Sequence, residues 1–347
     1  MKQLKIIVAL VAGLFAFTSV QAGEMSVTGS MHATYQSEQD SVTGNPLGMN
    51  TDLTFTGSTD TDFGAVTWTM GTDGTFVGDA GADHKLTIAT GLGTFKLGNS
   101  GDSANAVDDI TPSAFEEANG AGSGTYAVDF GSGMEGSMSL GYNMADVMGT
   151  GISIDYTYYP KLDGTTNNEK GASGSVTTTT GKSAQSVNIG IPLAGIPGVG
   201  DTLIGGTKIT LGYEESDTTV TGAQEKLGGT VAIVMPVGPL KIGFQRKGYQ
   251  AAGTDLTQLG RDFYKDDIVG IAYAINDDIA VSYNVINSTR HRHADGLGNM
   301  EQETKAINLA YTVGGLTLAL QDAKTSNAAY VQDADDDTRT FSVKTAF

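Results

Sequence analysis

The chain contains no cysteine. That excludes a disulfide framework, a thiolate metal site and a cysteine nucleophile. Four histidines offer little material for an imidazole metal centre. Charge is scarce and one-sided. Asp, Glu, Lys and Arg make up 17 % of the residues, against about 25 % in ordinary soluble domains. The 39 acids outnumber the 20 bases, for a net charge of −19. A nucleic-acid partner is excluded, because it needs a basic footprint. No arginine precedes Arg246, and only 7 prolines interrupt the 347 residues. Past the N-terminus no apolar run approaches the roughly 20 residues of a membrane helix.

Glycine is abundant, at 48 residues, about twice the ordinary share of ~7 %. The first residues read as a secretory leader: Lys2 and Lys5, an apolar stretch from Ile6 to Phe17, and the small-x-small triplet Val20-Gln21-Ala22. Cleavage after Ala22 is expected, leaving 23–347 as a single domain. Losing two lysines and no acid takes the net charge from −19 to −21.

Period-two alternation dominates the remainder, the pattern of strands with two different faces. It is clearest in Ile209, Leu211, Tyr213; Leu240, Ile242, Phe244; Ile279, Val281, Tyr283, Val285; and Ile307, Leu309, Tyr311, Val313. The intervening positions are small, hydroxylated or charged: Ala280, Ser282, Asn284; Lys241, Gly243, Gln245, Lys247. Tight turns at Pro236–Pro239, Asn276–Asp278 and Gly314–Gly315 alternate with long polar stretches at 215–225, 250–266, 287–303 and 324–337. Short turns at one end and long loops at the other predict an all-β, antiparallel up-and-down barrel in a membrane. Its polar face would meet water inside, because sixteen strands enclose a lumen too wide to fill with side chains.

Seventeen alternating runs are present, and a bacterial single-chain barrel takes an even number. Tyr126, Val128, Phe130 are placed here in the wall. Ile152, Ile154, Tyr156, Tyr158 are placed in a long extracellular loop, 143–185, as a hairpin arm paired with the threonine-rich 175–180. The expected count is sixteen; eighteen, with both arms in the wall, is the alternative.

Gly93-Thr-Phe-Lys-Leu-Gly98 runs into an acidic segment, and Thr340-Phe-Ser-Val-Lys-Thr-Ala-Phe347 ends the chain on an aromatic. With the leader and the strand-turn rhythm, this order of features resembles the Gram-negative general diffusion porins over the whole chain. The resemblance implies a homotrimer of sixteen-stranded barrels in the outer membrane, each with an inward-folded third loop. That loop would be 100–122, with Asp102, Asp108, Asp109, Glu116 and Glu117 lining a constriction. Basic groups on the opposite wall are expected in this family; by strand parity Lys85, Lys96, Lys208, Lys241 and Lys247 face inward. The family's early arginine cluster is missing. Phe347 resembles the terminal aromatic read by the barrel-assembly machinery.

The implied function is passive diffusion of ions and small hydrophilic solutes through a water-filled, cation-preferring channel. Lipid and lipopolysaccharide are the expected surroundings. A substrate-specific outer-membrane channel and a non-conducting adhesin or structural β-protein are the competing readings. No catalytic constellation or cofactor fingerprint is found, so an enzyme is not expected. Asp333, Asp335, Asp336 and Asp337 lack the glycine of a calcium loop and read as solvated charge.

Overall fold

The structure is a computed structural model that describes residues 23–38, 45–73, 83–99, 103–118, 134, 137–162, 183–196, 198–202, 204–217, 224–250, 263–291 and 298–347. The leader, Asp102 and the run Tyr126–Phe130 lie outside these.

Sixteen strands form one closed antiparallel sheet in which each pairs with its sequence neighbours. They are β1 (Glu24–Glu38), β2 (Leu47–Thr61), β3 (Gly64–Asp73), β4 (Asp83–Thr90), β5 (Gly93–Gly98), β6 (Ser139–Met144), β7 (Ser153–Tyr159) and β8 (Ala184–Pro192). The second half comprises β9 (Lys208–Ser216), β10 (Lys226–Val237), β11 (Leu240–Gln250), β12 (Phe263–Ala274), β13 (Ile279–His291), β14 (Met300–Val313), β15 (Leu316–Ser326) and β16 (Asp336–Ala346). No helix among the described residues is long and apolar enough to cross a membrane, which bears on helices alone.

The connections sort as the sequence suggests. Residues 62–63, 91–92, 238–239, 275–278 and 314–315 turn the chain tightly at one end. Gly314 and Gly315 both have positive φ, 56° and 85°, the geometry whose twist suits a two-residue hairpin. The connections 145–152 and 193–207 also lie at this end, and the remaining ones lie at the other.

One expectation is corrected. Residues 153–159 are not an arm of an outer loop but wall strand β7, hydrogen-bonded to β6 on one side and β8 on the other. The loop expected at 143–185 is therefore interrupted by a wall strand. β5 pairs directly with β6, so the sheet closes at sixteen without the 126–130 run. Consequently Ser139–Met144 runs towards the short turns. Alternation reports a strand with two faces; it cannot say whether that strand lies in the wall.

The sheet is inverted relative to a soluble barrel. On β14 and β15, Asn308 and Gln321 are 0 % and 1 % exposed, whereas Leu309 and Leu318 are 42 % and 41 % exposed. Outward positions carry the apolar and aromatic residues, among them Trp68, Phe95, Phe244, Tyr273, Tyr311 and Phe341. Towards the long-loop end of β11–β16 the outward face changes to ion pairs: Arg246–Asp267, Lys265–Asp267, Lys305–Glu303, Lys324–Asp337 and Arg339–Asp322.

The seam is β1 on β16, in register from Ser30↔Ala346 to Glu38↔Thr338. Phe347 completes it. Its N–H donates to the Gly29 carbonyl at 2.9 Å, and its carbonyl accepts from the Gly29 N–H at 2.8 Å. The ring lies over Gly29, where a Cβ would fall 2.6 Å from Phe347 Cε2 and 2.8 Å from Leu53 Cδ2. Gly29 is thus the floor on which the terminal ring rests. Gly29→Val should displace the ring and lower the yield of folded, heat-modifiable barrel, as should deletion of Phe347. Wild-type yield from both variants would contradict the role given to this seam.

Candidate functional site

Most of the segment between β5 and β6 that the structure describes, 103–118, folds into the barrel. Its hydrogen-bond partners trace its path along the inner wall. Ser103 receives a bond at its carbonyl from Asn188 Nδ2 at 2.7 Å and lies 2.6 Å, Oγ to Oγ, from Ser186. Its N–H donates to Thr157 Oγ1. Gln245 Nε2 on β11 is 2.8 Å from the carbonyls of both Val107 and Asp108. Asn284 Nδ2 on β13 donates to the Pro112 carbonyl at 3.0 Å. The Ala114 N–H donates to Ser282 Oγ, and Asn308 Nδ2 donates to Ser113 Oγ. Gln321 Nε2 on β15 reaches the carbonyls of Glu116 and Glu117. The loop has no sheet partner, so these inward amides and hydroxyls satisfy backbone groups that would otherwise be buried unpaired.

Shape and charge complete the docking. Gly243 and its cross-strand partner Gly270 form a notch for Pro112. A Cβ on Gly243 would fall 2.2 Å from Pro112 Cδ, and one on Gly270 2.7 Å from the Pro112 carbonyl oxygen. Ala118 packs with Ile268, Ile286, Ala306 and Ala323, an apolar cluster inside the barrel. Lys247 Nζ, fully buried, donates to Asp108 Oδ1 at 2.8 Å and lies 3.6 Å from Asp109.

The sequence-nominated residues accordingly divide. Asp108 and Lys247 meet each other and are buried as a pair. Asp109 keeps 46 % of its side-chain exposure. Burial pushes the Glu116 carboxyl above the ordinary glutamate range. Burial also raises Glu117, to about 7, with Asp109 and Asp108 adding to the effect and Lys247 opposing it. Lys96 lies on the inner wall, bound to Asp155 at 2.5 Å. Lys85 shares that wall, in register with Thr69 and Gly98. Lys208 lies over Gly190, and Lys241 sits at the short-turn mouth beside Pro236. These two stand away from the loop.

Sequence reading missed the residues facing the loop from the seam. His32 on β1 is in register with Lys344 on β16 and with Asn50 on β2. Its ring stands edge-on to Phe115, centroids 6.2 Å apart and planes at 88°. Strand parity already put His32 and Lys344 on the polar face; only the loop's course makes them part of the site. Exposure shows where the open interior runs. Inward residues of the docked wall, such as Ser186, Gln245, Asn284 and Asn308, are 0 % exposed. His32, Asp52, Lys85, Thr87 and Lys96, on β1–β5, are only partly buried. The solvent-accessible part of the interior therefore adjoins β1–β5, with the loop across from it.

No protein-family model matches the chain, and no curated protein matches it. Solved structures do. A refined porin structure superposes with a TM-score of 0.63 at 13 % identity, covering 93 % of this chain and 100 % of its own. OmpF of Salmonella typhi in complex with daunomycin gives 0.64 at 12 % identity, covering 94 % and 98 %. OmpT of Vibrio cholerae, an outer membrane protein in a trimer form, gives 0.64 at 11 % identity, covering 94 % and 100 %. The fold is that of the porins: a sixteen-stranded, closed antiparallel transmembrane-type barrel.

Two outcomes follow from the docking. Lys247→Met would leave Asp108 buried without its cation, a loss of about 3–5 kcal/mol for a buried pair. The loop should detach and single-channel conductance should rise, with Asp108→Asn as a second change restoring it. Gly243→Val, which fills the Pro112 notch, should raise conductance without altering any charge. Unchanged conductance in both would remove the loop from control of the channel.

Proposed function

We propose that this protein is an outer-membrane porin, a water-filled channel through which ions and small hydrophilic solutes diffuse passively. The observation that carries the reading is the docked 103–118 segment. A wide, polar-lined barrel is narrowed by a loop fixed to one wall, leaving an accessible path along the other. Such a constriction sets a size limit, and its charges bias which ions pass. No chemical step is required. With Asp109, Glu116 and Asp52 at the path and a strongly acidic chain overall, cation preference is expected at neutral pH.

The outward surface supports placement in an outer membrane as a homotrimer. The apolar band meets hydrocarbon. The ion pairs at the long-loop end of β11–β16 would stand at the level of lipid or lipopolysaccharide headgroups. Outward positions on β1–β5 include Met25, Val27, Met31, Met49, Trp68, Phe95 and Leu97 and, among the described residues, no Asp, Glu, Lys or Arg. This uncharged, methionine-rich face is the one assigned to contact between copies. Phe347, at the short-turn end, is assigned as the signal for the assembly machinery.

Liposome swelling with sugars of increasing size tests the proposal. Swelling should be fast for the smallest sugars and fall off with size. Absence of swelling with every sugar would overturn the channel reading.

A further inference from the structure

We propose that His32 is a specificity-determining residue of the constriction, making the ion preference of the pore a function of pH. The inference rests on the channel reading above and concerns which wall residues act within it.

His32 projects inward from the middle of β1, at the level where Phe115 carries the loop towards the seam. It is bordered by one group from each packed element. Lys344 on β16 stands directly across the strand pair. Asp52 on β2 sits one inward position away, held by Ser30 Oγ at 3.1 Å and Asn50 Nδ2 at 2.9 Å. From the loop, Phe115 covers the ring's edge and Glu116 follows it in the chain. His32 Nε2 lies 2.6 Å from Ser342 Oγ, which fixes the ring against the wall.

The charges around the path are few. Lys247 offsets Asp108, and Asp155 offsets Lys96. What remains beside His32 is Lys344 against Asp52, with Glu116 next to Phe115 on the loop. Lys344, Asp52 and Glu116 leave a formal net of −1, which a protonated His32 would cancel. Imidazole is the side chain whose charge ordinarily changes between pH 5 and 8. Protonated, His32 would join Lys344 to make the seam side cationic and admit anions more readily. Neutral, it would leave Asp52 and the loop acids in control. Its field reaches about 10 Å, the Debye length at 0.1 M salt.

The test is the reversal potential of the full-length barrel in a planar bilayer under a potassium chloride gradient, from pH 5 to pH 8. Glu117, raised to about 7, and Glu116, raised by burial, both stand on the loop, so the comparison is made between Glu116→Gln/Glu117→Gln and the same variant carrying His32→Gln. The first should shift towards the cation value as pH rises; in the second that shift should be lost. Lys344→Gln, which removes a permanent charge, should move the whole curve towards the cation value and keep its pH shift. An equal pH shift with and without His32 would overturn the assignment while leaving the pore intact. Absence of conductance in all variants would instead overturn the channel reading itself.

Discussion

Everything in this structure depends on the requirement that a backbone entering hydrocarbon leave no N–H or C=O unpaired. A sheet meets that requirement only by closing on itself, and here closure is made by β1 on β16, with Phe347 completing the last register. Once the sheet is closed, its two faces are committed. The outer one must suit lipid, and the inner one is surrounded by a ring of polar side chains too distant to touch across the middle. The exposed leucines and buried asparagines of β14 and β15 are the direct result.

The interior then poses a second problem of the same kind. A loop drawn into the barrel brings its own backbone groups, which find no strand beside them. The wall answers with side chains: Gln245, Asn284, Asn308 and Gln321, on β11, β13, β14 and β15, each placed to meet a loop carbonyl or hydroxyl. Glycine at 243 and 270 removes bulk where Pro112 must lie against the sheet. The loop is therefore seated by the wall's composition as much as by its own.

Much of the barrel was legible in the sequence because a strand between lipid and water must alternate, and alternation survives without an alignment. Seventeen alternating runs became sixteen strands only with the rule that such a barrel takes an even number, while the short turns and the inward parity of Lys96 and Lys247 followed from alternation directly. The placement of 153–159 did not. A seven-residue strand carries the same pattern in a wall as in a hairpin, and the competing run at 126–130 could not be ranked against it. Within the site, five loop acids looked equivalent in the sequence. Folding distinguishes them: Asp108 meets Lys247, far away in the chain, Glu117 is buried, and Asp109 stays in water. The contribution of His32 and Lys344 was invisible for a similar reason, since it depends on where the loop ends its course.

The way the loop is held separates two properties that porous proteins often combine. Its position is fixed by neutral amides, a glycine notch and one ion pair withdrawn from water, all of which salt screens weakly. The charges that face the path are exposed to the electrolyte and are screened by it. In the proposed channel, dilution or concentration of the surrounding medium would alter how strongly solutes are sorted by charge while leaving the aperture as it was. A cell bearing this barrel would meet a change in salinity with an unchanged molecular sieve and a retuned electrical one.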